Sequence, residues 1–416
     1  MNGRFWLPED PDNRAPGSLS LDPAEGVHLR LIGSLGRGGD AFFGANDAMP
    51  RILGEADGKY LTLVDGYQRN YRSNLAGTPP TQEIHANYAF VGARFDAPED
   101  IAFSRMFLGL EDLTTWVGRS GIHETSTLGP DRVDRHAPVG TSLQGEEVTL
   151  DGYTLKLWHK VNWQHTRFRG GTLSERHRFT VVPDELTGWR DLMRVAGDLA
   201  DLVSAAFHYP VAFDAICFEI PNAPGHQIDL HAQWQAQLGT RDKPPHRMTF
   251  TFDGLGGMQG VARWLTVATK HRRAISRIAA TRREGRMYVE DRFMNCVAAA
   301  EGVHRRHVTT DKHKLFVRLT ELVDLAGDEF KSAMPDHAAW VRSVVKERNE
   351  HAHHLDERVE REDPWLFYLG TSTYWLVLLC LLRIADAPKA VEQVGSCEQF
   401  DWDMAHLRGL MEKTNG

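Results

Sequence analysis

Residues 254–260 read Gly-Leu-Gly-Gly-Met-Gln-Gly, and the pattern of the sequence changes across them. Before this stretch, short apolar runs alternate with Gly, Pro, Asp and Asn, which is typical of strands joined by turns. After it, apolar residues recur at the three- and four-residue spacing of helices as far as the C-terminus. The sequence therefore predicts an α+β protein, with a β-rich domain over residues 1–253 and an all-α helical bundle over residues 254–416.

The β-rich half contains several segments with strand alternation and one with helical spacing. The helix is predicted over Glu185–Phe207, with Asp184 as its N-cap, because Leu192, Val195 and Leu199 recur on one face. The strands are predicted at 29–32, 60–64, 147–150, 154–163, 176–182, 213–220, 227–236 and 248–252. Four tryptophans of this half, Trp158, Trp163, Trp189 and Trp234, are expected in the core.

The second half contains six predicted helices. They cover residues 261–281, 288–305, 312–330, 335–355, 364–384 and 404–412. The stretch Trp365–Leu382 approaches the length of a short membrane span, but Gly370 and three hydroxyl residues interrupt it. A helix that is apolar on all sides is also what the centre of a helical bundle requires, so we predict a core helix and no membrane contact.

Composition limits the function less than the motifs do. The 416 residues favour two domains, and a net charge of −8 argues against a generally basic nucleic-acid coat while permitting a local basic face. The four cysteines lie far apart and lack zinc-finger spacing. The N-terminus lacks the apolar stretch of a secretory signal, which indicates a cytoplasmic protein. We expect no metal and no cofactor.

Arg348 is the first candidate functional residue. It falls among Val341, Val344 and Val345 on the apolar stripe of the helix predicted at 335–355. A guanidinium on a buried face costs several kcal/mol unless an anion or a hydrogen-bond network satisfies it. Arg348 therefore requires a partner within the protein, as in a structural ion pair, or a phosphate from outside.

Asn349 follows Arg348 directly, and His353 lies five residues after it. A histidine near its ordinary pKa can take the proton of a ribose 2′-hydroxyl or protonate the leaving 5′-oxygen, and an arginine can stabilise the charge on the phosphoryl oxygens. This chemistry needs no metal and is specific for RNA, because the 2′-hydroxyl is the nucleophile. An Arg–His spacing alone arises often by chance, so the context of Asn349 and the neighbouring helices carries the interpretation.

Arg348, Asn349 and His353 match the Rx4-6H motif, and the C-terminal half resembles a HEPN domain (higher eukaryote and prokaryote nucleotide-binding). The preceding helix, with Glu301 followed four residues later by Arg305, resembles the acidic helix of these domains. The resemblance implies that Glu301 orients Arg348 or the catalytic histidine from a neighbouring helix. A solvated charge on a helix surface is the other interpretation of Glu301.

The whole chain is similar to ApeA-type anti-phage defence proteins, through Phe-Trp-Leu-Pro at residues 5–8 and Pro-Gly-Ser-Leu at residues 16–19. The resemblance implies a ribonuclease that forms a homodimer or a higher oligomer through its HEPN domain and stops growth of the infected cell. It also implies that the substrate is RNA. Transfer RNA is one candidate. The resemblance further implies a trigger of phage origin. It also implies a regulatory or sensing role for the N-terminal domain.

A regular helix does not place Arg348 and His353 on the same face. Five residues turn an ideal helix by about 500°, so Arg348 and His353 would lie about 140° apart around the axis. Either the helix is distorted or ends near His351, or the site is completed across a dimer.

Two basic clusters precede the motif, and they are predicted to guide RNA through phosphate contacts. Solvated helix faces are the alternative interpretation of such charge runs. The five candidate RNA-binding residues are Arg272, Arg273, Arg277, Arg305 and Arg306.

These observations predict abortive infection by a metal-independent endoribonuclease that leaves 2′,3′-cyclic phosphate and 5′-hydroxyl ends. The main alternative is a non-catalytic HEPN module that dimerises or binds a nucleotide or RNA, with a sensing N-terminal domain. A scaffold for a nucleotidyltransferase is disfavoured, since the chain contains no nucleotidyltransferase motif.

Overall fold

The computed structural model describes residues 1–23, 25–36, 48–72, 79–128, 134–166, 170–221, 223, 225–233, 248–283, 287–353 and 364–415. Its strands are β1 (Asn2–Leu7), β2 (Asp10–Asp22), β3 (Gly26–Ile32), β4 (Ala48–Ala56), β5 (Lys59–Arg72), β6 (Thr81–Val91), β7 (Ala102–Phe103), β8 (Arg105–Leu110), β9 (Ile122–Leu128), β10 (Asp134–Gly140), β11 (Glu146–Leu150), β12 (Tyr153–Thr166), β13 (Gly170–Pro183), β14 (Thr187–Gly188), β15 (Phe213–Glu219) and β16 (Ile228–Ala232).

The first six strands close into an antiparallel barrel in the order β6-β3-β2-β1-β4-β5, with β5 pairing back to β6. Closure removes the unpaired sheet edges. Alternate residues fill the interior, including Phe5, Leu29, Leu31, Ile52 and Leu63, each at most 1% exposed. β6 also pairs with β16, and this pairing extends the sheet through β15, β8, β13, β12 and β11.

The extended sheet is covered by α2 (Trp189–Phe207), which follows the short helix α1 (Leu113–Val117) in the chain. The prediction of a helix in this region is confirmed, but Asp184 is not its N-cap. The helix begins four residues later than predicted, with Gly188 in the N-cap position. Thr187 and Gly188 instead pair with Phe103 and Ala102 as strand residues, which holds the preceding segment in extended geometry.

Beyond residue 251 every element of the described chain is helical, so the predicted α+β class is confirmed. The helices are α3 (Phe252–Leu255), α4 (Gly257–Arg283), α5 (Val289–His307), α6 (Leu315–Ala326), α7 (Asp328–Ala333), α8 (His337–His353), α9 (Pro364–Ile384), α10 (Pro388–Gly395) and α11 (Glu398–Asn415). The strand predicted at 248–252 is wrong, because Thr251 caps α3 through a hydrogen bond that its hydroxyl accepts from Gly254.

The apolar helix α9 lies in the core. It is the one helix of the described chain that is long and apolar enough to cross a membrane, and 83% of its most apolar window is buried inside the protein. Trp375 donates from Nε1 to the Asp403 carboxylate of α11 at 2.9 Å, and α5 packs against the face that carries Gly370. These contacts agree with the prediction of a core helix.

The described residues form two apolar cores. The barrel has its own core, whereas the core of the extended sheet and α2 continues into the helices. Trp116 packs edge-to-face on Phe252 at 5.3 Å, and His208 stacks on Trp375 at 4.2 Å. The division near residue 253 stays a prediction.

Two of the predicted core tryptophans are on the surface. Trp158 and Trp163 are 53% and 56% exposed, whereas Trp189 is buried as predicted. Trp158 points away from the face of β12 that carries Leu155 and Leu157, and the alternation of the strand explains its exposure. Trp234 lies outside the described residues. The four cysteines are free thiols, three of them buried.

Candidate functional site

Helix α8 places Arg348 at the boundary between core and solvent. Val341 and Val344 on the same face are at most 1% exposed, and they anchor the helix against its neighbours. The Arg348 side chain is 34% exposed, so it is less buried than the apolar stripe predicts. Its long aliphatic stem continues the buried face while its guanidinium reaches toward water.

Glu301 of α5 is the partner of Arg348 within the protein. Its Oε1 lies 3.7 Å from Nη2 of Arg348, which is an ion pair across two helices. Its Oε2 lies 3.4 Å from Arg305 Nη2 and 3.5 Å from Arg318 Nη1. One carboxylate, itself 20% exposed, therefore faces three guanidinium groups. The structure thus brings Glu301, Arg305 and Arg348 together, as the resemblance implies for Glu301.

Arg318 of α6 is a member of this cluster that the motif search does not identify. Its side chain is 6% exposed, and besides Glu301 it donates from Nε to the His313 carbonyl at 2.9 Å. A signal for it exists in the sequence, because Arg318 precedes Leu319 and lies four residues before Leu322 on an apolar stripe. The same argument that singles out Arg348 would have found it.

Asn349 and His351 flank Arg348 with defined contacts. The Asn349 side chain accepts a hydrogen bond from Arg348 Nη1 at 3.2 Å, on the exposed side of α8. Glu347 accepts from Trp365 Nε1 at 3.0 Å and lies 3.7 Å from His351 Nε2. Asn349 therefore orients the guanidinium directly, and Glu347 connects α8 to α9.

His353 is the last residue of α8, and its side chain lies outside the described residues. The helix runs without interruption from Arg348 to His353, so it does not end near His351. A regular helix leaves the two side chains about 140° apart around its axis. How the two side chains meet therefore stays a prediction.

The two predicted basic clusters lie side by side. Arg306 of α5 donates to the Lys270 carbonyl of α4 at 2.9 Å, and Arg277 donates to the Asn295 side chain at 3.0 Å. Arg273 is exposed on α4. The exposed residues Arg273, Arg277, Arg305 and Arg306 are here called the α4–α5 surface, and Arg305 connects it to Glu301.

Arg272 differs from the other four candidates. Its Nε and Nη2 donate to the two carboxylate oxygens of Asp198 on α2, at 3.2 and 2.7 Å. Asp198 is 5% exposed, so this bidentate pair satisfies a buried charge. Arg272 fastens α4 to α2 and is less available to a phosphate than Arg273.

The charge balance favours anion binding. Arg305, Arg318 and Arg348 share the single carboxylate of Glu301, which leaves an excess of about two positive charges. The pKa of the neighbouring His271 is lowered to about 4, first by burial and then by His307, Arg306 and Lys270. Arg306 and Lys270 thus add positive charge beside His271.

A comparison with protein families matches residues 1–261, more than half of the chain, to the model described as ApeA N-terminal domain 1. No curated protein and no solved structure matches the chain.

Proposed function

The chain belongs to the ApeA family of anti-phage defence proteins, and on that premise we propose that it is a metal-independent endoribonuclease. Its active site would be built around Arg348, Asn349 and His353 of α8. RNA would approach along the α4–α5 surface, where Arg273, Arg277, Arg305 and Arg306 contact phosphates without reading sequence.

The observation that carries this proposal is the partly exposed guanidinium of Arg348. It is held by Glu301 on one side and by Asn349 on the other, and two further arginines surround the same carboxylate. A purely structural ion pair would not need this excess of positive charge, since a buried pair is most stable when its charges balance. A phosphate supplies the missing negative charge.

The reaction would proceed by attack of the ribose 2′-oxygen on the adjacent phosphorus. His353 takes the 2′-proton as general base, or protonates the 5′-oxygen as general acid, and the P–O5′ bond breaks. Arg348 stabilises the charge that develops on the equatorial oxygens, and Asn349 keeps its guanidinium in place. The products are a 2′,3′-cyclic phosphate and a 5′-hydroxyl.

The offset of Arg348 and His353 on one helix makes the oligomer part of this proposal. In a homodimer that places two copies of α8 against each other, Arg348 of one subunit would meet His353 of the partner subunit. A ribonuclease that assembles in this way in the cytoplasm must be restrained until infection. The N-terminal barrel and sheet would supply this restraint and respond to a trigger of phage origin. Transfer RNA is one candidate substrate.

The direct test is incubation of the purified full chain with total RNA in EDTA. We expect cleavage that leaves 2′,3′-cyclic ends, and a loss of at least about 100-fold in Arg348→Ala and in His353→Ala. Arg342→Ala is the matched control, because Arg342 is exposed on another part of α8. Toxicity in cells should follow cleavage.

The same experiment can contradict the proposal. Intact RNA with tight nucleotide binding would indicate the non-catalytic module instead. A folded Arg348→Ala or His353→Ala protein that still cleaves RNA and arrests growth would exclude these residues as the active site.

A further inference from the structure

A second cluster of ligand-forming side chains lies near Arg318, between α5 and α6. His304 of α5 and Glu321 of α6 face each other, with His304 Nε2 lying 2.5 Å from Glu321 Oε2. His313, from the connection between the two helices, places Nδ1 3.6 Å from the same oxygen. The three candidate ligand atoms all lie within 4.8 Å of one another.

The two histidines differ in burial, and the His313 side chain is 34% exposed. The His304 side chain is 0% exposed, and Glu321 is its charged partner. His313 Nδ1 is buried and has no hydrogen-bond partner among the described residues, because 3.6 Å is too long for a hydrogen bond to Glu321. A buried ring nitrogen therefore points at a carboxylate that it does not reach.

The distance between His313 and Glu321 suits two ligands of one ion, whereas the distance between His304 and Glu321 is that of a short hydrogen bond. Zinc binds imidazole nitrogen and carboxylate oxygen at about 2.0–2.2 Å, so ligand atoms in a tetrahedral site lie about 3.4 Å apart. The separation of His313 Nδ1 from Glu321 is close to this value. The shorter contact to His304 would open by about 1 Å, and the Glu321 side chain, 35% exposed, has room to move.

We propose that His304, His313 and Glu321 form a binding site for a divalent transition-metal ion, with Zn²⁺ as the expected species. Two imidazoles and one carboxylate suit zinc and its neighbours, whereas Mg²⁺ and Ca²⁺ prefer oxygen ligands alone. A fourth position remains for water. Spacings of nine and eight residues match no familiar zinc motif, so the sequence alone does not indicate this site.

The ion would stabilise the connection between α5 and α6 rather than take part in RNA cleavage. The carbonyl of His313 accepts the hydrogen bond from Arg318 Nε, and Arg318 in turn contacts Glu301. An ion that holds the His313 ring therefore also fixes the backbone that positions Arg318. Neither Arg348 nor His353 is a ligand, so the metal site stands or fails independently of the proposed ribonuclease.

The test uses the purified full chain, freed of metal by chelation and titrated with Zn²⁺. We expect one tightly bound Zn²⁺ per chain by calorimetry and elemental analysis, and a rise of a few degrees in Tm at about 100 times Kd. His313→Ala and Glu321→Gln should each weaken binding at least about tenfold and remove the Tm rise. His307→Ala is the matched control, because His307 is an exposed histidine one turn from His304.

Co²⁺ provides a second readout that reports the ligands. A four-coordinate site should give visible absorption in the wild type and in His307→Ala, and this absorption should be lost in Glu321→Gln. If His313→Ala fails to fold, Glu321→Gln still tests the site, since its side chain is of similar size. The proposal is overturned by a wild-type chain that binds no stoichiometric Zn²⁺, or by variants that bind it as the wild type does.

Discussion

Partners, more than residue type, decide what each arginine of this molecule does. Arg272 and Arg273 are adjacent in α4, yet one is bound to a buried carboxylate and the other is exposed. Arg348 shares its carboxylate with two other guanidinium groups. Sequence reasoning treats the basic run as one cluster, because the partner of Arg272 is Asp198, more than seventy residues earlier.

This contrast gives a prediction for two neighbouring substitutions. Arg272→Ala should lower the free energy of unfolding by about 2 kcal/mol, because it leaves the buried Asp198 without its cation. Arg273→Ala should leave stability unchanged but weaken RNA binding, and should reduce the slope of log K against log salt by about one. Chemical denaturation and RNA titrations at several salt concentrations measure the two effects. Equal stability losses in both variants would contradict the assignment of roles.

His271 makes the fold sensitive to acid. Its ring is 2% exposed, and its pKa falls from 6.5 to about 4 through burial and the positive neighbours. The unfolded chain takes up a proton on this residue near pH 6.5, and the folded chain does so only near pH 4. The stability that the neutral ring contributes is therefore complete above pH 6.5 and is lost as pH falls toward 4.

His271→Gln should reduce this acid sensitivity. We expect the fall in stability between pH 7 and pH 5 to be smaller than in the wild type by of the order of 1 kcal/mol. Thermal unfolding at the two pH values measures it, with His123→Gln as the control, because His123 is an exposed histidine of β9. Some sensitivity should remain, since burial also lowers the pKa of His177 to about 4. An unchanged pH dependence would rule out His271 as a major contributor.

At the scale of elements, prediction succeeds where a helix carries its own signals. The bounds of α9 are predicted at both ends, because Pro364 begins the helix and Arg383 follows its last apolar run. The bounds of α8 are predicted within two residues. Arg348, Asn349 and His353 likewise lie within one helix, so the motif could be proposed from the sequence.

The failures have a common cause, which is that partners from distant parts of the chain decide local structure. The helix predicted from Glu185 begins instead at Trp189, because β14 pairs with β7 some 85 residues earlier in the chain. Barrel closure between β5 and β6 and the role of Arg318 also depend on tertiary contacts. Alternation predicts that a segment is a strand but does not determine its neighbour.

The need for glycine in the stretch that opens the helical half can be tested by substitution. Gly256 ends α3 with φ +103°, and a Cβ at Gly260 would lie 2.0 Å from the Leu255 carbonyl oxygen. Gly260→Ala should therefore lower the free energy of unfolding by about 2 kcal/mol or more, since backbone must move. Gly409→Ala, in α11 with open space around it, should raise it by about 0.5–1 kcal/mol.

Denaturant titrations of the two variants compare these effects on one scale. Gly409→Ala measures the ordinary gain from adding a methyl group to a helical glycine, so the difference between the variants reports the α3–α4 corner alone. A stable Gly260→Ala protein would mean that the corner does not require close approach of the two helices.

At the scale of the whole molecule, the extended sheet of the N-terminal half and the helical half share a core. Trp116 contacts Phe252, Arg119 donates to Asp253 at 2.6 Å, and α2 is tied to α4 by Arg272. By contrast, the barrel core is separate. The extended sheet and α2 are therefore coupled to α4 through packed side chains and the ion pair between Arg272 and Asp198.

Assembly also belongs to the whole molecule, because the proposed active site lies either within one chain or between two. If Arg348 of one subunit works with His353 of the partner subunit, Arg348→Ala and His353→Ala proteins should complement each other when mixed. A mixed dimer then holds one intact site and one doubly damaged site. After full exchange, half of the dimers are mixed, so activity should recover to about a quarter of the wild-type level.

Cleavage of a labelled RNA, measured before and after the two inactive proteins exchange subunits, gives the result. Mixing Arg348→Ala with an Arg348→Ala, His353→Ala double variant is the matched control, because no combination of those chains restores a site. A site contained within one chain predicts no recovery in either mixture. Recovery in the first mixture alone would show that the 140° offset along α8 is resolved by the second subunit, and that assembly itself creates the active site.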